Sequence, residues 1–130
     1  MIVADTDVLI DYLGGHNPAA DRIALELAHG RLATTAVNRF ELLSGIRNPR
    51  QEKTVRELLA ALQTLPLDQA AADEAANVRR TLESAGTSIG MGDSLIAGIV
   101  RRHGGVLLTR NRRHFDRVEG LKLSLLTPRR

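Results

Sequence analysis

The sequence predicts an α/β fold, a doubly wound α/β/α sandwich around a central, mainly parallel sheet. Two observations carry that expectation. Strand-like runs alternate with amphipathic helical stretches along the chain, the pattern of a parallel sheet with helices on both faces. The first such run, Met1-Ile2-Val3-Ala4, stops abruptly in Asp5-Thr6-Asp7, and apolar residues then recur at helical spacing in Val8, Leu9, Tyr12 and Leu13. A strand that ends in two acids and turns straight into a helix is the opening half of a β-α-β unit. Ligands bind outside the carboxyl ends of the strands in such sheets. Asp5 is therefore expected where the fold does its chemistry, with Thr6 as helix cap and Asp7 complementing the helix dipole.

Gly14-Gly15 breaks the first helix, and Asn17-Pro18 restarts one with a favoured cap and proline at the first helical position. Ile23, Ala24 and Leu27 form its stripe, and Gly30 ends it. Leu32-Ala33-Thr34-Thr35 reads as the second strand. A helix follows from about Ala36, with Val37, Phe40, Leu43 and Ile46 on or near one face. Asn48-Pro49-Arg50-Gln51 opens the next helix with the makings of a capping box, packed by Val55, Leu58, Leu59 and Leu62. Thr64-Leu65-Pro66-Leu67 suits an edge strand, since Pro66 has no donor for a central ladder.

Asp68 caps a long alanine-rich helix whose small residues permit close packing, and Gly86 stops it. Gly90-Met91-Gly92-Asp93 leads into a helix with Met91, Leu95, Ile96, Ile99 and Val100 as its stripe. Arg101-Arg102-His103-Gly104 closes it with cations at the negative end and a glycine cap. Val106-Leu107-Leu108-Thr109 is an uninterrupted buried strand, a short turn or helix spans 111–118, and 121–126 supplies the last strand. The whole, residues 1–130, is expected to be one domain with a core that needs no staples.

Composition narrows the function. The chain has no cysteine, which excludes a disulfide framework and thiolate metal sites. No apolar run approaches a bilayer span and no basic flank precedes the first apolar residues, so a cytoplasmic protein without membrane contact is expected. Net charge is +3, yet residues 101–130 hold nine arginines or lysines against two acids, whereas residues 1–100 hold nine against thirteen. A basic last quarter beside acidic strand ends suits a polyanionic substrate held over a cation. Aromatic residues make up 2% of the chain, too few for a module that stacks bases on rings. Contact with nucleic acid would run through phosphates.

Three acids stand out from surface logic: Asp5, Glu41 between Phe40 and Leu42-Leu43, and Asp93 at the head of a mostly apolar helix. Taken singly, Glu41 could complete a capping box with Asn38, and Asp93 could be a cap after Gly92. Two unit charges ~4 Å apart repel by roughly 4 kcal/mol at an effective dielectric of 20. A convergence of the three would persist where a cation fills it, and all-oxygen ligands point to Mg²⁺ or Mn²⁺.

In these residues the chain resembles the PIN-domain ribonucleases, and among them the VapC-type toxins of toxin–antitoxin pairs. The resemblance rests on Ile2-Val3-Ala4-Asp5-Thr6-Asp7-Val8-Leu9-Ile10 and Glu41-Leu42-Leu43-Ser44-Gly45. It continues in Gly92-Asp93-Ser94-Leu95-Ile96-Ala97 and Leu108-Thr109-Arg110-Asn111-Arg112-Arg113-His114-Phe115. It implies a PIN-like α/β/α sandwich, Mg²⁺- or Mn²⁺-dependent cleavage of RNA, inhibition by a cognate antitoxin encoded beside it, and a homodimer. Asp5, Glu41 and Asp93 match the family's acidic triad, with Asp5 and Asp93 as main metal ligands. Gly45 matches a small residue that leaves room beside the glutamate. Where family members often carry a further acid, this chain has Asn111 and His114, with Asp116 the nearest carboxylate; Asp7 stands where the family often has asparagine. Asn111 can still offer an amide oxygen or hold a water.

The mechanism these assignments imply is metal-assisted phosphodiester hydrolysis, with Glu41 positioning or deprotonating the attacking water. Thr6 and Thr109 would orient the carboxylates, and Arg110, Arg112 and Arg113 would hold flanking phosphates. Three rivals share features. Asp5-Thr6-Asp7-Val8 fits the opening motif of haloacid-dehalogenase phosphatases, which also need a nearby lysine; Lys53 and Lys122 are the only two. A phospho-receiver domain has acids after its first strand but needs an acceptor aspartate ending a central strand. A PIN-like scaffold would bind RNA without cutting it.

Overall fold

In the computed structural model, which describes residues 1–127, five strands form one sheet in the order β3-β2-β1-β4-β5. They are β1 (Ile2–Ala4), β2 (Leu32–Thr35), β3 (Gln63–Leu65), β4 (Val106–Thr109) and β5 (Leu123–Leu125). Every pairing is parallel. All strand carboxyl ends therefore lie along one edge. The chain runs outward from β1 through β2 to β3, then returns to β4 and β5 on the other side. The order reverses between β1 and β4, where a crevice opens in folds of this kind.

Among the described residues seven helices connect the strands: α1 (Thr6–Leu13), α2 (Ala19–Ala28), α3 (Ala36–Ser44), α4 (Pro49–Ala60), α5 (Gln69–Ser84), α6 (Met91–His103) and α7 (Arg112–Phe115). Side chains alternate across each strand, so the sheet carries two cores. Val3, Ala33 and Leu107 face Ile96, Ile99, Val78 and Phe115 on one side. Ala4, Leu32 and Leu108 face Val8, Leu9, Ile23, Leu58 and Leu59 on the other. Full burial of one such aliphatic side chain is worth about 1.5–3 kcal/mol, and Val3, Val8, Leu9, Leu107 and Leu108 are each 0% exposed. The α/β/α sandwich expected from the sequence is thus the one observed.

Several local expectations change. Pro18 occupies the cap position of α2 rather than its first turn, and the Asn17 side chain accepts from Asp21 N at 3.0 Å. Ala24 is exposed, and its place toward the core is taken by Glu26, buried and paired with Arg22 and Arg31. Phe40 is 68% and Met91 65% exposed, so neither belongs to its helix's inner face. Asn38 and Leu42 fill that face in α3, with Val37, Leu43 and Ile46 half-buried. Asn48 caps α4 as expected, but Gln51 reaches past it to accept from Arg47 N at 2.8 Å. Asp68 caps α5 through Ala71 N. β3 is an edge strand that ends just before Pro66.

The small residues of α5 bring it close to α6. A Cβ built on Gly98 would lie 2.5 Å from the Cβ and backbone N of Ala75, so only glycine fits there. This contact sets the depth of α6, and hence of Asp93 near its start.

Candidate active site

Asp5 follows β1 directly and occupies the cap position of α1, a correction to the reading that placed the cap at Thr6. A strand-end acid serves both purposes: its Oδ1 accepts from Thr6 N at 2.9 Å. Asp5 is 4% exposed. Oδ1 also accepts from Asn38 Nδ2 at 2.9 Å, and Oδ2 accepts from Thr109 Oγ1 at 2.8 Å. Three donors do not fully offset what burial costs a charge. Burial first, and the neighbouring Asp7 second, push the Asp5 carboxyl up to about 6. Thr109, fully buried at the end of β4, thus spans the switch point to reach Asp5; its hydroxyl also accepts from Asn111 N.

Thr6 is the first residue of α1, and its hydroxyl donates to Glu41 Oε1 at 2.6 Å. It also accepts from Asn38 Nδ2 at 2.9 Å. Glu41 is an exposed residue in the middle of α3. It makes no capping box with Asn38, because Thr35 is the cap of α3 and its Oγ1 accepts from Asn38 N. Asp5, Thr6, Asn38 and Glu41 therefore form one hydrogen-bonded group.

Asp93 lies in the first turn of α6 and is not its cap, which is Gly90. Its Oδ2 lies 2.6 Å from His114 Nδ1, with Asp93 about one-quarter and His114 half exposed. Among the described residues no three histidine, aspartate or glutamate side chains stand close enough to enclose one ion. Mg²⁺ does not require such a cage. It keeps several waters and is held by one or two carboxylates together with substrate phosphate. A buried carboxylate whose desolvation its three donors only partly offset, with no thiolate in the chain, fits a hard cation of that type.

Asp7 is drawn into the framework. Its Oδ1 accepts from Val8 N at 2.7 Å and its Oδ2 from Arg110 N at 2.9 Å. Burial raises its carboxyl above the usual range, against the pull of those two bonds and the Arg110 charge. Arg110 corrects the picture of a free phosphate ligand: its Nε lies 2.7 Å from Oδ2 of Asp11, which is 1% exposed. Arg112 and Arg113 are exposed, Arg112 standing 3.7 Å from Asp116. Asn111 is exposed as well. At Gly45 a Cβ would meet only Glu41 and Leu42 carbonyls at 3.6 Å, an ordinary contact. Glu41 and Gly45 border a cavity of about 620 Å³, lined also by Ile10, Leu13, Ile46 and Val55. Lys53 and Lys122 are both exposed, and neither is among the partners of Asp5.

The site missed by sequence reasoning is Asn38. It is 0% exposed and touches Asp5 and Thr6 directly. The available signal was its place three residues before Glu41, one helical turn away on the same face.

Fold and site together define a parallel α/β protein with an acidic centre at its topological switch point. The PIN domain family matches residues 2–121, and the chain belongs to that family. It is 34% identical over 128 residues to ribonuclease VapC10 of Mycobacterium tuberculosis, covering 98% of this chain and 96% of that one. It is 31% identical over 122 residues to the tRNA(fMet)-specific endonuclease VapC of Shigella flexneri, covering 91% and 92%. The fold is also that of the VapBC2 structure from Rickettsia felis, bound to a promoter DNA fragment. There the TM-score is 0.84 at 18% identity, over 98% of this chain and 100% of that one.

Proposed function

We propose that this protein is a metal-dependent ribonuclease and the toxin of a VapBC-type pair, acting as one domain over residues 1–130. The observation that carries the reading is the buried Asp5, held at the switch point by Thr109 and joined through Thr6 to Glu41. The similarity to two VapC nucleases along nearly the whole chain supports the choice of RNA. No helix among the described residues is long and apolar enough to cross a membrane, in keeping with the cytoplasmic location that reading implies.

Asp5 and Asp93 would hold the divalent cation, Mg²⁺ or Mn²⁺. Bound there, it supplies charge neutralisation at the attacked phosphate and makes a coordinated water more acidic. Glu41, exposed and oriented by the Thr6 hydroxyl, accepts the proton of the attacking water. Thr109 fixes the rotamer of Asp5. Asn111, on the turn after β4, would hold a second water. Arg112 and Arg113 supply exposed cations for flanking phosphates. The reading includes a cognate antitoxin and a homodimer.

The test incubates purified protein with RNA and with a generic phosphomonoester, in Mg²⁺, Mn²⁺ or EDTA. Cleavage of RNA alone, abolished by EDTA, is the expected result. Turnover of the phosphomonoester would favour a phosphatase, and RNA binding without cleavage a scaffold.

A further inference from the structure

We propose that Asn38 is a positioning residue that holds Asp5 and Glu41 in fixed relation through Thr6, a role that rests on the ribonuclease reading above. Its amide has two hydrogens and both are committed. One goes to Asp5 Oδ1 and the other to Thr6 Oγ1, each at 2.9 Å. Thr6 has a single hydroxyl hydrogen. With its oxygen already accepting from Asn38, that hydrogen goes to Glu41 Oε1 at 2.6 Å. On the other side, Thr35 Oγ1 donates to Asn38 Oδ1 at 2.7 Å while accepting from Asn38 N at 3.1 Å.

The amide orientation follows from its neighbours. An ionised carboxylate only accepts, so the NH₂ end must face Asp5 and the carbonyl end must face Thr35. Every hydrogen in the chain then has one destination. Rotating Asn38, which is 0% exposed, would leave buried polar atoms without their partners.

A purely structural duty does not account for this side chain. The cap of α3 uses the Asn38 backbone N–H and the Thr35 hydroxyl, so helix formation needs no amide at position 38. What the amide does is join an acid at the end of β1, through Thr6, to an acid in α3. Removing it frees the Thr6 hydroxyl to turn away from Glu41 and removes a donor from Asp5. Groups that orient a metal ligand or base in this way typically contribute 10–100-fold to affinity or rate.

The test compares wild type, Asn38→Leu, Thr6→Val and the double variant. RNA cleavage is followed in Mn²⁺, and Mn²⁺ binding is followed by electron paramagnetic resonance. Asn38→Leu should lower kcat by about 10–100-fold and weaken Mn²⁺ binding, with KM for RNA within about twofold. Thr6→Val should lower kcat with Mn²⁺ binding retained, because the bond to Glu41 is lost while Asn38 still donates to Asp5. The double variant should be little worse than Asn38→Leu, since both act through one contact. A folded Asn38→Leu that keeps both kcat and Mn²⁺ affinity within twofold overturns the assignment, as does a double variant whose losses multiply. Should Asn38→Leu fail to fold, Thr6→Val decides, and a kcat within twofold of wild type overturns the relay. If wild type binds Mn²⁺ but cuts no RNA, the ribonuclease reading fails, and weaker Mn²⁺ binding by Asn38→Leu still supports the positioning role. Wild type that neither binds nor cuts overturns both.

Discussion

Arg110 and Asp11 form an ion pair, Nε to Oδ2 at 2.7 Å, in which the carboxylate is buried and the guanidinium is about 29% exposed. The pair ties the turn after β4 to the middle of α1. Together with the bond from Arg110 N to Asp7, it makes this arginine part of the scaffold beneath the site.

Arg110→Ala should therefore destabilise the fold. Breaking a fully buried pair costs about 3–5 kcal/mol; with Arg110 partly exposed, about 2–3 kcal/mol is expected. Arg112→Ala removes an exposed cation and should change stability by less than about 0.5 kcal/mol. It should instead weaken RNA binding and reduce the salt slope by about one. Urea unfolding and salt-titrated RNA binding of both variants check the contrast; equal effects on stability would remove it.

Asp5→Asn, Glu41→Gln and Asp93→Asn should each lower RNA cleavage by roughly 100-fold or more, the scale of a lost acid–base or ligand group. Each keeps shape while removing charge, so circular dichroism should stay native. Near wild-type rates in all three would refute the site.

The Asp5 carboxyl, raised from 3.8 to about 6, makes stability pH-dependent. Between about pH 4 and 6 the native state keeps a proton that the unfolded chain has lost. Native protein then binds more protons, so stability falls as pH rises through that window and levels off above it. At 1.36 kcal/mol per unit, wild type in EDTA should lose about 2–3 kcal/mol relative to Asp5→Asn between pH 4 and 7. Mg²⁺ at a hundredfold its dissociation constant should return about 2.7 kcal/mol to wild type at pH 7. Denaturant titrations across pH, with and without Mg²⁺, measure both; parallel curves for the two proteins would mean that Asp5 is not strained by its burial.

Gly98→Ala should destabilise by about 1–3 kcal/mol or more, because the added methyl meets Ala75 Cβ at 2.5 Å. By lifting α6 it should also lower cleavage beyond what the melting shift explains. Thermal melts and activity at a temperature where both proteins are folded separate the two effects.

β4 was legible because a buried parallel strand reads as a near-continuous apolar run, and β2 from its β-branched threonines after Gly30; they fall at 106–109 and 32–35 as read. Asp5, Glu41 and Asp93 were legible as acids in apolar settings. Their partners were not, because partners lie far apart along the chain: Arg110 meets Asp11 across a separation of 99 residues, and Asn38 meets Asp5 across 33. Helical periodicity misjudged Phe40 and Met91 for a different reason. It counts apolar residues without knowing which face meets the sheet, and in α3 the inner face holds an asparagine.

One arrangement at the start of α1 reaches beyond this site. In many open α/β sheets the first helix offers its free N–H groups to a phosphate. Here the chain fills that receptor with its own anions: Asp5 accepts from Thr6 N, and Asp7 from Val8 N. The N–H groups at this helix start are thereby occupied by the chain's own carboxylates, and the local charge is negative instead of positive. A free nucleotide or sulfate should find no purchase at this helix, and a phosphate can approach the strand ends only in the company of a cation.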